Sequence, residues 1–346
     1  MSSSFEQYLA AYDYAMPPDL IARAPASPRD SAALAVLHQS SGVTTWTTVR
    51  EIGRFLPPRS LLVLNRTKVI PARLIVIRPT GGMVQLLILG IADDCVRAWS
   101  NRRLKQGERL DLAAGQTLTV MGNADREWLL RPSFPLTDLP GVLNEIGRTP
   151  LPPYIKETPL SEQELRLTYQ SVFARDPGSI AAPTASLHFT EALLGELRAS
   201  GIETADVTLH VHIGTFAPLT EEQWRMGQLH AEEYRIAPGD RERIEGARKE
   251  GRRIIAVGTT VARALESAAD KHGHIVRPEG TTTLFMQEGY DFKMINGLIT
   301  NFHVPRSSLL MLVCALAGHK RVLGLYREAI GRKMRFFSFG DAMMIV

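Results

Sequence analysis

Leu298-Ile-Thr-Asn-Phe-His-Val-Pro-Arg-Ser-Ser-Leu-Leu-Met-Leu-Val313 decides how this chain is read. An apolar, β-branched run ends in Asn301, Phe302 and His303. Pro305 then breaks the chain, and Arg306, Ser307 and Ser308 open an apolar helical run through Ala317. Three polar groups, Asn301, His303 and Arg306, are held between two segments patterned for burial. Burying such groups is unfavourable unless they meet partners or a ligand. Strand, polar turn and buried helix together predict an α/β protein with chemistry at this turn.

Working outward, Leu61-Leu-Val-Leu64 is a second short apolar run suited to a buried strand, and it ends in Asn65-Arg-Thr-Lys68. From Val69 to about Pro150 the texture changes. Short β-rich segments (Ala72–Ile77, Val84–Leu89, Val96–Trp99, Arg109–Leu112, Gln116–Met121, Glu127–Arg131) alternate with turn signals such as Gly81-Gly82 and Asp93-Asp94. That spacing predicts a small β-barrel. From about Ser161 helices and strands alternate again. Thr190–Gly201 reads as a capped helix, Val207–Val211 as a strand, Arg241–Glu250 as a helix and Arg253–Val257 as a strand. Gly258-Thr259-Thr260 turns into a helix over Val261–Ala269, and helices follow over Ser307–Ala317 and Lys320–Lys333. The fold expected is a mixed α/β domain, residues 1–68 and 151–346, interrupted by a small inserted β-barrel domain, residues 69–150.

Bulk properties narrow the function. The chain has 346 residues, 45% hydrophobic and 22% charged, with a formal net charge of +4. This is ordinary globular composition. Mild basicity permits a polyanion partner without requiring one. The two cysteines, Cys95 and Cys314, are far apart and lack metal-ligand spacing, which points away from a disulfide framework and towards the reducing cytoplasm. The N-terminus lacks a signal-peptide pattern, and the apolar runs are too short to span a bilayer. A cytoplasmic protein without membrane contact is expected, with a monomer as the default.

Several loops carry candidate chemistry. Ala181-Ala-Pro-Thr-Ala-Ser-Leu-His-Phe-Thr190 combines small residues with Thr184, Ser186 and His188, although a histidine before a helix is more often a structural hydrogen-bonder than a catalyst. His210 and His212 share one strand face and can bind a metal, yet no third ligand stands at a recognisable spacing. Gly214-Thr215-Phe216 offers mobile backbone and an aromatic face. Glu232 stands two residues from His230, a pairing that can tune a general base. Asp341 is a lone carboxylate in an apolar tail. A strand–Gly turn–helix at Gly258-Thr259-Thr260 presents backbone N–H groups to polar ligands, but an ordinary tight turn has the same pattern.

In sequence order, many stretches resemble the S-adenosylmethionine:tRNA ribosyltransferase-isomerase family of queuosine biosynthesis. They include Tyr12-Asp-Tyr14, Pro28-Arg-Asp-Ser31, Leu61–Asn65, Val69-Ile-Pro-Ala-Arg-Leu74, Leu151-Pro-Pro-Tyr-Ile155 and Tyr169–Arg175. Ala181–Thr184, Leu187–Thr190, Val207–Val211, Gly214–Phe216, Ala256–Thr260, Leu298–His303 and Phe337–Ile345 continue the series. The resemblance implies the same two-domain fold. It also implies transfer and isomerisation of the ribosyl part of S-adenosylmethionine onto 7-aminomethyl-7-deazaguanine at the tRNA wobble position. Adenine and methionine leave and epoxyqueuosine is formed. S-adenosylmethionine is then a co-substrate, no metal or resident cofactor is implied, and tRNA is the partner.

Such chemistry needs groups against a sulfonium, for which Tyr14, Phe216, Phe302 and Asp341 are candidates. It needs a base near C5′ and an acid at adenine, for which His188, His210 and His303 are candidates without assignment between roles. Asn301, Thr184, Thr215, Glu232, Thr259 and Thr260 can hold hydroxyls or base edges. Arg73 and Arg306 can meet tRNA phosphate or the methionine carboxylate. The chain departs from the family pattern at Arg66, Lys68, Ser186, His212, Ala231, Glu288 and Asn296. Those departures leave two alternatives: a paralogue with another acceptor, or a non-catalytic RNA-binding protein on the same scaffold.

Overall fold

A computed structural model describes residues 2–124, 127–211 and 218–346. By its internal contacts the chain divides into two compact units. One comprises Met1–Lys68, Pro152–Ser161 and Thr168–Val346, and the other Val69–Leu151 and Glu162–Leu167. The second unit reaches past residue 150 for a local reason. The Glu162 carboxylate accepts from the Thr149 backbone N–H and hydroxyl, both at 2.8 Å. Arg166 donates to the carbonyls of Asn144 at 2.7 Å and Gly147 at 2.5 Å. The helix Glu162–Thr168 thus closes over the end of the helix Leu139–Ile146.

Within that unit, strands Arg73–Ile77, Met83–Ala92, Cys95–Ser100, Arg109–Asp111, Thr117–Ala124 and Glu127–Pro132 form a closed barrel. Each of the six short β-rich segments of the sequence becomes one of these strands. Their alternation works as expected: Leu74 and Val76 are buried while Ile77 is exposed.

In the larger unit, nine strands among the described residues form one mixed sheet. From edge to edge they run Glu279–Leu284, Gln228–Arg235, Glu203–Leu209, Leu61–Asn65, Ile254–Val257, Gly297–Asn301, Ala342–Ile345, Ala33–Leu37 and Thr44–Thr48. Four central strands, from Glu203–Leu209 to Gly297–Asn301, are mutually parallel. Leu61 and Val63 pack into one apolar layer, Leu62 and Leu64 into the other. A strand covered on both faces has no polar side, which is why its sequence is a continuous apolar run. The Thr190 hydroxyl caps helix Glu191–Ala199 by accepting from the Leu193 N–H at 3.1 Å.

The C-terminal tail differs from expectation. Ala342–Ile345 is a buried strand inserted between Gly297–Asn301 and Ala33–Leu37. Its partners are the first strand of the chain and one that precedes it by two helices, so local pattern could not reveal it. Gly297 is required beside it, because a Cβ there would lie 2.6 Å from the Ile345 carbonyl oxygen. Among the described residues no single helix is long and apolar enough to cross a membrane. Helices Ser308–Ala317 and His319–Gly331 meet at 114°.

Candidate active-site cleft

Parallel strands deliver their C-terminal ends to one edge of a sheet, where α/β proteins bind ligands. Here Val257 leads into Gly258, and strand Gly297–Asn301 leads into Phe302-His303-Val304. Between these ends lies a cleft of about 640 Å³, including its open mouth. Its walls come from six segments distant in sequence: Tyr154, Ala182–Ala185, Val211, Gly258–Thr260, Thr300–Val304 with Ser307, and Phe337 with Ser338. Gly258 has φ +97°, a left-handed value that favours glycine. It also serves as a cap without a side chain for helix Thr259–Ala268. The N-terminus of that helix, through Thr259 and Thr260, therefore forms part of the wall.

Asn301 ties these walls together. Its side-chain oxygen accepts from the Thr184 hydroxyl at 2.9 Å and its amide donates to the Phe337 carbonyl at 3.1 Å. Thr260 is fixed by the Asn65 amide at 3.3 Å, and Asn65 also holds the Leu209 carbonyl at 3.0 Å. Ser338 and Tyr154 share a hydroxyl–hydroxyl bond of 2.6 Å, and the Tyr154 and Phe337 rings lie 4.9 Å apart.

His303 is the titratable group of this wall. Its Nε2 lies 3.1 Å from the Thr300 hydroxyl, and its buried Nδ1 has no hydrogen-bond partner among the described residues. Its backbone is clamped, the N–H donating to the Tyr326 hydroxyl at 2.9 Å and the carbonyl accepting from Tyr14. Desolvation pushes its imidazole down to about 3. It is therefore neutral near pH 7 and presents a hydrogen-bonding edge rather than an imidazolium.

Of the residues singled out from sequence, Thr184, Thr259, Thr260, Asn301, Phe302 and His303 line this cleft. The others stand elsewhere. His188 is buried behind the wall, its ring nitrogens 3.1 Å from the Ala185 carbonyl and 2.9 Å from the Gly340 carbonyl. Burial lowers its affinity for a proton, and it pins the Thr184–His188 turn instead of reaching a ligand. Asp341 does not face a cation in the cleft. It accepts from the Arg335 guanidinium at 2.9 Å and the Ala33 N–H at 3.1 Å. Tyr14 lies behind His303, its ring 5.1 Å from that of Tyr326. Arg306 is on the surface, 2.6 Å from Asp13. Arg73, in the barrel unit, donates to the Leu151 carbonyl at 2.7 Å. Glu232 does not pair with His230, which is exposed; it forms a buried ion pair with Arg263.

His210 belongs to a different cleft of the same unit, lined by Arg66, Asp176, Thr208, Glu233 and Glu279 among others. Its Nδ1 lies 2.8 Å from the Thr67 hydroxyl, and the departure Arg66 forms a 2.8 Å ion pair with Asp176. Expectations on His212, Thr215 and Phe216 lie outside the described residues. No group of three His, Cys, Asp or Glu among the described residues is placed to hold a metal ion. Ser186 is fully buried but is not part of the cleft lining. The Asn296 side chain accepts from the Ile254 N–H at 2.9 Å, and Lys68, Ala231 and Glu288 are exposed. Sequence reading missed Tyr154, Ser307, Phe337 and Ser338 as cleft residues. All four lay in stretches that the sequence singled out (Leu151–Ile155, Leu298–Val313 and Phe337–Ile345), but none carried a sign of its own that it faced a ligand.

Fold and cleft define a two-unit protein, with a mixed α/β sheet that carries a cleft at its C-terminal strand ends and a closed barrel in the same chain. Comparison narrows this class. The family model described as queuosine biosynthesis protein matches residues 9–345. The S-adenosylmethionine:tRNA ribosyltransferase-isomerase of Carboxydothermus hydrogenoformans is 44% identical over 98% of this chain and 99% of its own. That of Rubrobacter xylanophilus is 45% identical over 96% of both. The crystal structure of S-adenosylmethionine tRNA ribosyltransferase from Thermotoga maritima superposes with a TM-score of 0.56 at 32% identity, covering 97% of this chain and all of that one. The chain therefore belongs to the queuosine biosynthesis family and, like the two transferase-isomerases named here, is an enzyme.

Proposed function

We propose that this protein transfers and isomerises the ribosyl moiety of S-adenosylmethionine onto 7-aminomethyl-7-deazaguanine in tRNA, yielding epoxyqueuosine-tRNA, adenine and methionine. The family supports the reaction type, and one observation supports the donor site. Six segments far apart in sequence converge on a cleft that combines neutral polar groups with the aromatic rings of Tyr154 and Phe337. Such a surface suits a nucleoside with an attached cation: the rings face the sulfonium, while His303, Thr259 and Thr260 meet base edges and hydroxyls.

The reaction requires a base at C5′, where the adjacent sulfonium acidifies the C–H, and relief of charge on departing adenine. At its depressed pKa His303 acts as a hydrogen-bonding partner of the donor, not as the proton-accepting base. S-adenosylmethionine is consumed as co-substrate, so the reading calls for no resident cofactor or metal. It describes a monomer at work in the cytoplasm.

The test is incubation with S-adenosylmethionine and tRNA bearing the precursor base. Adenine release that depends on that tRNA is expected. Release that depends only on another acceptor would identify a paralogue with a changed acceptor. Saturable tRNA binding without adenine release would reduce the protein to an RNA binder.

A further inference from the structure

Arg263 lies on helix Thr259–Ala268 and is 3% exposed. Its Nη1 donates to the Glu232 carboxylate, itself 2% exposed. Its Nε and Nη2 are buried and have no hydrogen-bond partner among the described residues. These two nitrogens are not scattered orphans. In a planar guanidinium the Nε–H and one Nη2–H point the same way and form the side-on fork that grips a carboxylate or phosphate through two parallel bonds. One edge of Arg263 is thus committed to Glu232 and one complete edge is unclaimed. A buried donor pair without acceptors is unfavourable, and native chains retain such pairs where something else claims them.

Two independent elements place Arg263 and Glu232 next to residues that line the cleft. Thr259 and Thr260 line the cleft, and Arg263 follows them by four and three residues on the same helix face. Helical side chains lean towards the helix N-terminus, which here is the cleft end. On the sheet side, Thr208 pairs with Arg235 and Leu209 with Tyr234, and the His210 N–H donates to the Glu233 carbonyl at 3.3 Å. Continuing that antiparallel register sets Glu232 opposite Val211, and Val211 also lines the cleft. Directly opposed residues share one face. The Arg263–Glu232 pair is therefore buried directly behind the cleft-lining residues Thr259, Thr260 and Val211, between this helix and strands Glu203–Leu209 and Gln228–Arg235.

We propose that Arg263 is the carboxylate receptor of the donor site: its Nε–Nη2 edge binds the α-carboxylate of the methionine moiety of S-adenosylmethionine, and Glu232 orients the guanidinium from the opposite edge. The inference rests on the proposed function. A phosphate of the RNA shares the oxyanion chemistry. The near-complete burial of the edge favours the compact carboxylate of a ligand seated inside the cleft. No bond is made or broken at Arg263, so it is a binding residue and leaves proton transfer to other groups.

The experiment compares S-adenosylmethionine with its decarboxylated form as ligands of the full-length protein, by equilibrium binding, in wild type, Arg263→Gln and Arg263→Lys. Wild type should prefer the carboxylated donor by about tenfold or more. Arg263→Gln should bring the two affinities within about twofold, chiefly by weakening the carboxylated form, with the decarboxylated Kd little changed. Arg263→Lys keeps the charge but lacks the fork, and should lose most of the preference even if the glutamine variant fails to fold. Equal weakening of both ligands would make Arg263 merely structural and overturn the proposal. So would an intact donor preference with weakened tRNA binding and a salt slope reduced by about one, which would assign the edge to RNA phosphate. Wild type that binds neither donor form overturns the proposed function as well. Wild type that turns over the donor with no preference overturns this inference alone.

Discussion

The Thr184 hydroxyl donates to the Asn301 side-chain oxygen at 2.9 Å across 117 residues of sequence. The same side chain donates to the Phe337 carbonyl. One amide thus fixes three cleft walls, and its contribution is geometric before it is chemical. Asn301→Ala leaves a half-buried hydroxyl and a buried carbonyl without this partner. A stability loss of roughly 2–4 kcal/mol by denaturant unfolding is expected, with turnover down by more than about tenfold because the walls are no longer in register. Near-normal turnover in a folded variant would remove Asn301 from the site.

His303 gives a pH prediction. Its folded-state pKa is depressed to about 3 from an ordinary value of 6.5. Between those values the unfolded chain binds the proton and the folded one does not. Stability therefore falls as pH falls through that window, by at most about 1.4 kcal/mol per pH unit for one group. His303→Gln should flatten the decline of stability between pH 6.5 and 3 by up to that amount. His188, depressed in the same direction by burial, keeps its own share of the slope. An unchanged slope would mean that His303 is not buried neutral.

Gly340 accepts a ring nitrogen of His188 through its carbonyl at 2.9 Å. A Cβ at Gly340 would lie 2.4 Å from the Phe336 carbonyl carbon and 2.6 Å from the Arg335 carbonyl oxygen. These are backbone atoms and cannot swing aside. Gly340→Ala should cost roughly 2–4 kcal/mol, visible as a lowered Tm, and should weaken donor binding by displacing the neighbouring Phe337-Ser338 wall. A variant as stable as wild type would show that the turn is free to shift.

His210→Ala separates the two clefts. Because its ring contacts the Thr67 hydroxyl and lies in the cleft with Arg66 and Asp176, loss of the imidazole should leave the Kd for S-adenosylmethionine within about twofold of wild type. A tenfold weakening would join both clefts into one donor site.

These contrasts separate what chain-local pattern carries from what it cannot. His188, His210 and His303 look alike in sequence, each a histidine within a Thr- or Ser-bearing segment. Only His303 lines this cleft, because the His188 ring is held between the Ala185 and Gly340 carbonyls and the His210 ring lies against the Thr67 hydroxyl in the other cleft. Asp341 read as a lone carboxylate because its partners, Arg335 and Ala33, gave no local sign of pairing. Arg263 passed unnoticed because a single arginine in an apolar helix has no motif. Its meaning comes from Glu232, 31 residues upstream on a strand.

By itself the amino-acid sequence determined the strands of the barrel, the doubly buried Leu61–Leu64 run, most helix limits and the family, since these follow from short-range periodicity, caps and long ordered matches. Tertiary structure alone decided that Ala342–Ile345 enters the sheet beside the first strand, which groups share the cleft, and which are spent on internal contacts. Those outcomes depend on pairings between residues hundreds of positions apart, where free energy is gained only after the chain has closed upon itself.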